Sequence, residues 1–182
     1  MTRAGDRLPR PFFARPSPDV ARDLLGCWLV RRSSAGTIRV QLAEVEAYLG
    51  ETDPASHARR GRTARNLPMY GPAGHAYVYF VYGMHHCLNV VTGDDGEAAA
   101  VLLRGALPGP DARPRLDGPG RLCRALAVDL AQNRLDLCGP QDELWLEAGP
   151  VPAGLAPIEG PRVGVSDPTP WRFRLAGREN RA

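Results

Sequence analysis

The chain has 182 residues, of which 43% are hydrophobic and 24% charged, a composition typical of one soluble globular domain. No apolar run approaches the roughly 20 residues of a membrane span, and residues 1–15 lack the apolar core of a signal peptide, so we expect a cytoplasmic protein. All 23 basic residues are arginine, which excludes Schiff-base chemistry by a lysine, and the net charge of +3 is too small to indicate nucleic-acid binding by itself.

The first part of the chain predicts a helix followed by two strands. Residues 17–31 combine a helical stripe with an extended end, and Ser17 is placed to cap the helix. From residue 37 to residue 49, apolar and polar residues alternate as they do in a strand. This alternation predicts that one set of side chains shares a face: Leu42, Glu44, Glu46 and Tyr48.

The second part predicts further hairpins and one more helix. Residues 50–74 show no hydrophobic period and predict a long loop, and loops of this length are usually functional. The remaining predicted elements are antiparallel hairpins over 76–104, a connector over 107–120, a helix over 121–130, and strands over 143–146, 162–165 and 173–175.

Together these elements predict an α+β fold with one compact domain over residues 1–182. We expect a curved, mainly antiparallel β-sheet surrounded by helices, with a protruding β-hairpin. Residues 1–16 and 177–182 are expected to be peripheral.

Glu44 and Glu46 lie two residues apart on the long predicted strand, so their carboxylates point to the same side. Mutual repulsion would raise the proton affinity of one carboxylate and make it a candidate general base. The pair could equally be two solvated side chains on an exposed strand face, and the pattern alone leaves both interpretations open.

Aromatic side chains follow on the next predicted strand, at Tyr77, Tyr79 and Tyr82. Such spacing is usual for core or cross-strand packing. However, Tyr82 and Met84 flank Gly83 where the chain must turn, which places apolar side chains at a protruding tip. A tip of this kind could wedge between base pairs and fill the gap that a flipped nucleotide leaves.

The predicted loop over 50–74 is basic, with His57, Arg62 and Arg65 among its cationic residues. It could bind phosphates, and it could also be a solvated loop. His85 and His86 do not indicate a metal site, because adjacent strand residues point to opposite faces and no HxxxH or CxxC motif accompanies them. The four widely spaced cysteines predict reduced thiols rather than a disulfide scaffold.

These segments together resemble the alkyladenine type of 3-methyladenine DNA glycosylases. The resemblance is carried by residues 43–50, 57–69, 77–84, 87–89 and 100–104, and more weakly by 118–127 and 162–165. It is collinear from about Leu24 to about Leu175, and the shared order and spacing of several motifs are far more specific than any one of them. The family has one compact mixed α/β domain, which agrees with the pattern above.

The resemblance implies a role for each matching position. Glu46 would deprotonate the attacking water, which Arg104 and the main-chain carbonyl of Val163 would help to hold. The other implied roles are a sandwich of the flipped base between Tyr48 and Tyr79, an edge contact from His57, a pocket floor at Asn89 that disfavours normal purines, intercalation by Tyr82 and Met84, and backbone contacts from Arg62 and Arg65.

The implied activity is that of a monofunctional DNA glycosylase in base excision repair. Its substrates would be 3-methyladenine, 7-methylguanine, ethenoadenine or hypoxanthine in double-stranded DNA. The N-glycosidic bond of the damaged nucleotide would be hydrolysed without a cofactor or metal, and the enzyme would have no AP lyase activity. We expect a monomer that acts at the nucleoid. The alternative is a non-catalytic lesion- or RNA-binding module on the same scaffold.

Some properties are left open by the sequence. It does not indicate which lesions are preferred, whether Glu44 takes part in catalysis, or which proteins are partners. His85 and His86 stand where the family often has aromatic residues, so contacts behind the wedge would differ. No long N-terminal extension is present, and partner-binding appendages are therefore not expected.

Overall fold

A computed structural model describes residues 3–107 and 116–177. Most of the predicted connector and the extreme C-terminal segment lie outside these ranges. The described helices are α1 (Arg10–Phe13), α2 (Ser17–Leu24) and α3 (Pro119–Ala125), with short 3-10 turns at Leu67–Tyr70 and Leu130–Gln132. Within the described ranges, no helix has both the length and the apolar character needed to cross a membrane.

The strands of the described residues form one antiparallel sheet. They are β1 (Trp28–Ser33), β2 (Gly36–Leu49), β3 (Ala76–Val81), β4 (His85–Val91), β5 (Ala99–Leu107), β6 (Leu144–Glu147), β7 (Leu155–Gly160) and β8 (Arg172–Gly177). The main path of the sheet runs β3-β4-β5-β2-β1-β6, and β8 joins β7 to β2. The sheet is curled, and the predicted α+β fold with antiparallel hairpins is confirmed.

Strand β2 is the centre of this sheet. Its first half pairs with β1 and its second half with β5, while the short stretch from Glu44 to Glu46 also pairs with β8. Glu46 therefore lies opposite Leu102 on one side and Arg172 on the other. Because both edges of β2 are hydrogen-bonded at this point, the backbone that carries Glu46 is firmly held.

The main hydrophobic core lies on one face of the sheet, where α2 and α3 pack. It includes Leu8 and Phe13, which are 2% and 0% exposed. We expected residues 1–16 to be peripheral, but these two side chains belong to the main core. Their burial stabilises the packing of α1 against the rest of the domain.

A β-bulge near Ala43 corrects the predicted faces of β2. The pairing with β5 shifts between Leu42 and Glu44 and again between Glu44 and Val45. As a result, Leu42 and Val45 both lie in the main core, and Leu42 does not share a face with Glu44 and Glu46. Simple alternation fails here because the extra residue of a bulge reverses the side-chain direction.

Two predicted elements end or form differently. Helix α3 ends at Ala125 rather than at residue 130, because Ala127 adopts a positive φ of 48° and Leu130 is left 53% exposed. Residues 162–165 form a turn instead of a strand, with Gly164 at a φ of 72°. The strand of this region is β7, which the sequence analysis did not predict.

Ser17 does not cap α2 as we expected. The N-cap position is Pro16, with no side-chain cap hydrogen bond. The Ser17 hydroxyl instead lies 2.6 Å from the Thr92 hydroxyl and donates to the Tyr48 carbonyl at 3.1 Å. The side chain therefore ties the start of α2 to the end of β2.

Candidate functional site

Glu46 is completely buried, and donors surround its carboxylate. The main-chain N–H of Val163 donates to Oε1 at 2.8 Å, and the Tyr48 hydroxyl donates to Oε2 at 2.9 Å. Arg104 completes the set, with Nε 3.3 Å from Oε1. A buried carboxylate is tolerated only when it is paired and hydrogen-bonded in this way, so the surroundings of Glu46 fix its position and orientation.

Glu44 shares Arg104 with Glu46. The Nε atom of Arg104 lies 2.9 Å from Glu44 Oε1, and Arg172 donates from its own Nε to the same oxygen at 2.8 Å. The predicted common side for the two glutamates is confirmed, and two guanidinium groups offset their repulsion. Because Glu46 is buried, the alternative of two solvated glutamates on an exposed face is wrong.

The ring of Tyr48 is backed by a buried cation that the sequence analysis did not identify. The guanidinium carbon of Arg162 lies 4.7 Å from the centre of the Tyr48 ring. Arg162 is itself paired with Asp53 at 2.9 Å and Asp167 at 2.8 Å. Burial and the adjacent Glu46 carboxylate raise the pKa of Tyr48 well above its usual range, so the phenol stays protonated and donates to Glu46.

A small cavity of about 60 Å³ lies beside Tyr48. Its walls bring together the four residues that the sequence analysis assigned to a base pocket, along with three others: Tyr48, Ala55, His57, Met69, Tyr77, Tyr79 and Asn89. These residues come from β2, the loop over 50–74, β3 and β4, so the fold assembles the cavity from segments that are far apart in the chain.

His57 lies at the edge of this cavity and contacts two tyrosines. Its Nδ1 atom is 3.0 Å from the Tyr77 hydroxyl, and its ring meets the Tyr79 ring edge-on at 4.6 Å. Partial burial, with a smaller contribution from the Arg65 charge, lowers the pKa of His57. Burial raises the pKa of Tyr77 to about 12. The neutral imidazole and the neutral phenol are therefore the favoured forms at pH 7.

Asn89 is buried on β4, 4% exposed, and its side chain is oriented by the neighbouring strand. Its amide nitrogen donates to the Tyr77 carbonyl at 2.9 Å. Asn66 has a similar role in the loop, because its amide nitrogen donates to the His57 carbonyl at 2.9 Å. Both bonds hold cavity walls in place from behind.

The turn between β3 and β4 projects from the sheet as predicted. Tyr82 is 85% exposed and Met84 is 66% exposed. Tyr82 also adopts a φ of 55°, followed by Gly83 at 66°. A positive φ is uncommon for a bulky residue, and its presence here keeps the aromatic ring away from the core.

The predicted backbone-contacting arginines are both exposed, but their immediate partners differ. The guanidinium carbon of Arg62 lies 4.5 Å from the centre of the Tyr70 ring, outside the small cavity. That of Arg65 lies 5.4 Å from the centre of the Tyr79 ring, and one Nη donates to the Phe80 carbonyl at 3.3 Å. Arg65 therefore sits at the rim of the cavity.

Among the described residues, no group of three His, Cys, Asp or Glu side chains is arranged to hold a metal ion. His86 instead packs on the exposed Phe80 ring at 5.0 Å. The four cysteines are free thiols. The contact with Phe80 gives His86 a structural role.

Comparisons with known proteins agree over nearly the whole chain. The family model described as methylpurine-DNA glycosylase matches residues 11–179. A protein from Streptomyces avermitilis is 50% identical over 193 residues, which cover 95% of this chain and 90% of that protein. Proteins from Methanocella arvoryzae and Myxococcus xanthus are 45% and 49% identical, covering 91% and 95% of this chain and 90% and 91% of their own. All three carry the provisional name 3-methyladenine DNA glycosylase.

Proposed function

Because the chain belongs to the methylpurine-DNA glycosylase family, we propose that it flips alkylated or deaminated purines out of duplex DNA and hydrolyses their N-glycosidic bonds with water activated by Glu46. The substrates would be 3-methyladenine, 7-methylguanine, ethenoadenine or hypoxanthine. A genomic DNA substrate would bring the protein to the nucleoid.

One observation carries this proposal, namely the direct link between the cavity and the buried carboxylate. Tyr48 lines the cavity with its ring, and its hydroxyl donates to Glu46 at 2.9 Å. A base held against the Tyr48 ring would therefore present its sugar close to Glu46. This is the position that a general base for hydrolysis at the anomeric carbon requires.

In the proposed reaction, water attacks C1′ as the bond between C1′ and the base nitrogen breaks. Glu46 accepts a proton from the water, and the products are the free base and an abasic sugar. Cationic 3-methyladenine and 7-methylguanine would leave as neutral bases, whereas ethenoadenine and hypoxanthine would leave as anions and take up a proton from the solvent. The anionic carboxylate also stabilises the positive charge that develops on the sugar. Arg104 and the main-chain carbonyl of Val163 would orient the water, while the Val163 N–H holds Glu46.

The cavity would select the base by stacking and by shape. Tyr48 and Tyr79 would cover its two faces and favour cationic alkylated rings by cation–π attraction. His57 would contact its edge, and Asn89 would disfavour the exocyclic amine of guanine. The free cavity of about 60 Å³ is smaller than the roughly 150 Å³ cavity that accommodates benzene, so the cavity would have to widen when a base enters.

The remaining contacts would bend and hold the DNA. Tyr82, with Met84 beside it, would fill the stack after the base has left and so offset an unstacking cost of a few kcal/mol. Arg62 and Arg65 would contact the backbone phosphates. We propose that the protein acts as a monomer. We also propose that it has no AP lyase activity, because a chain without lysine has no side-chain amine for a Schiff base.

Replacement of Glu46 by glutamine tests the proposal. We expect Glu46→Gln to bind a lesion-containing duplex normally but to excise the base at least about 100-fold more slowly, because an amide cannot accept the proton. Base release is measured under single-turnover conditions for each lesion in turn. Glu147→Gln, on the distant strand β6, is the control and should excise at the wild-type rate.

Two outcomes would contradict the proposal. Excision by Glu46→Gln at the wild-type rate would show that another group activates the water. Tight binding of lesions by the wild-type protein without release of any base would instead indicate a non-catalytic binding module.

A further inference from the structure

Strand β8 carries two arginines on the side of the sheet that holds Glu46. In the pairing with β2, Arg172 lies opposite Glu46 and Arg174 lies opposite Glu44. Phe173, between them, is 1% exposed and belongs to the main core. Because successive strand residues point to opposite faces, the burial of Phe173 directs both arginines to the face of the candidate site.

Arg172 is anchored at one end and open at the other. Its Nε donates to Glu44 at 2.8 Å, and its side chain is 30% exposed. In the described part of the chain, its two Nη groups have no hydrogen-bond or ion-pair partner, and neither is a buried unsatisfied atom. A guanidinium held through Nε in this way presents both Nη groups to an incoming oxyanion.

Arg174 is exposed and has no ion-pair partner among the described residues. Gly160 lies opposite Arg172 on β7, and the space where its side chain would stand is empty. Ile158, opposite Arg174, adds no charge. The carboxylates nearest on this face, Glu44 and Glu46, are already paired with Arg104 and Arg172. Arg174 therefore leaves an uncompensated positive charge beside an open surface.

We propose that Arg172 and Arg174 form a binding site for consecutive phosphates of the DNA strand that carries the flipped nucleotide. Their spacing of two strand residues, about 7 Å, allows each guanidinium to contact a separate phosphate. The proposal rests on the proposed glycosylase function and adds a second line of backbone contact to it.

The position of β8 gives this site a distinct place on the duplex. At Glu46, strand β2 has β5, β4 and β3 on one side and β8 on the other. The projecting tip and the arginine-bearing loop belong to the β3 and β4 side. Phosphate contacts at β8 would hold the strand on the opposite side of Glu46, so that the flipped nucleotide is gripped from both directions.

The test is the salt dependence of DNA binding by Arg174→Ala and by Arg172→Gln/Arg174→Ala. Each lost phosphate contact should reduce the slope of log K against log salt by about 0.9. We therefore expect the slope to fall by about 0.9 for the single variant and by about 1.8 for the double variant, equally for undamaged and lesion-containing duplexes. Fluorescence anisotropy of labelled duplexes measures both.

Arg124→Ala is the matched control, because Arg124 is also exposed but lies on α3, which packs on β4 and β5 from the core side. Its slope should equal that of the wild type. A slope for Arg174→Ala equal to that of Arg124→Ala would overturn the proposal. Thermal melts confirm that each variant is folded, and Arg174→Ala, without a broken ion pair, keeps the test valid if the double variant unfolds.

Single methylphosphonate linkages, which lack the phosphate charge, locate the contact. A neutral linkage on one side of the lesion should weaken DNA binding by the wild-type protein but should not change DNA binding by Arg174→Ala. Failure of the glycosylase function would appear separately, as absent base release by the wild-type protein, whereas failure of the β8 site would appear as an unchanged slope in a protein that excises bases.

Discussion

The surroundings of Glu46 and the tip of the β3–β4 hairpin are built in opposite ways. Glu46 is 0% exposed and receives hydrogen bonds from a main-chain N–H and a phenol, beside a guanidinium. Tyr82 is 85% exposed, and its backbone adopts an unfavourable φ of 55°. One region is completed by the protein itself, while the other projects into the solvent.

This difference follows from what each region would do. A general base must keep one orientation through the reaction, so its contacts are formed before the substrate arrives. A wedge must enter a base stack, so its apolar surface has to stay outside the core. Substitutions around Glu46 should therefore change both stability and chemistry, whereas substitutions at the tip should change chemistry without changing stability.

The largest effect is expected for Arg162→Met, in the buried network behind Tyr48. The substitution leaves Asp53, which is 1% exposed, and Asp167 without their cation. Removing one partner of a buried ion pair costs about 3–5 kcal/mol of unfolding free energy. Urea denaturation of the variant and the wild type measures this loss.

Arg22→Met is a matched control for that substitution. Arg22 also pairs with a carboxylate, Glu159 at 2.9 Å, and stacks on an aromatic ring, Phe173 at 5.3 Å, but its side chain is 47% exposed. Exposed pairs contribute about 0–1 kcal/mol. Equal losses for the two variants would show that burial does not distinguish the network around Glu46 from an ordinary surface pair.

Tyr82→Ser addresses the other side of the comparison. We expect an unchanged melting temperature, because no core contact is lost, and roughly tenfold slower excision of a lesion in a stable base pair, since the flipped state loses stacking of about 1–3 kcal/mol. A weakly paired lesion should be affected less. Thermal melts and single-turnover rates on paired and mismatched lesions measure these effects. A fall in melting temperature with equal rate losses on every substrate would identify Tyr82 as a packing residue.

The same contrast explains what could be predicted from the sequence. Strands β1 to β6 and β8, the shared side of Glu44 and Glu46, and the projecting tip depend on local periodicity and turn chemistry, and these predictions are confirmed, whereas the strand predicted over 162–165 is wrong and β7 was not predicted. The position of Leu42 depends on a bulge, and the end of α3 depends on one residue with positive φ at Ala127. Neither leaves a periodic signal in the sequence.

The charged residues Arg162 and Arg172 were not predicted for a different reason, because their surroundings depend on contacts that are distant in the chain. Arg162 acquires its environment from Asp53, more than 100 positions earlier in the chain, and Arg172 acquires its own from Glu44. An arginine in a Pro- and Gly-rich segment looks like a solvated residue until such long-range contacts are known. Only the weak family similarity at residues 162–165 could have drawn attention to Arg162.

The smallest effect is expected for two exposed arginines of the loop over 50–74, Arg62 and Arg65. Alanine at either position should weaken binding to damaged and undamaged duplexes alike and reduce the salt slope by about 0.9. Arg65→Ala should also change the preference between charged and neutral bases, because the Arg65 charge lies against the Tyr79 ring of the cavity, whereas Arg62 lies on Tyr70.

Removal of a cation from the rim of the cavity should relieve repulsion of a positively charged base. We expect Arg65→Ala to raise the excision rate of 7-methylguanine relative to that of neutral hypoxanthine by roughly threefold, a modest factor because solvent screens the exposed charge. Arg62→Ala should leave this ratio unchanged and is therefore the control. Single-turnover rates at saturating protein separate this ratio from weakened binding. If both variants give the same ratio of excision rates, Arg65 acts only on the DNA backbone. The prearranged cavity would then end at Tyr79, and Arg65 would belong to the open surface that contacts DNA.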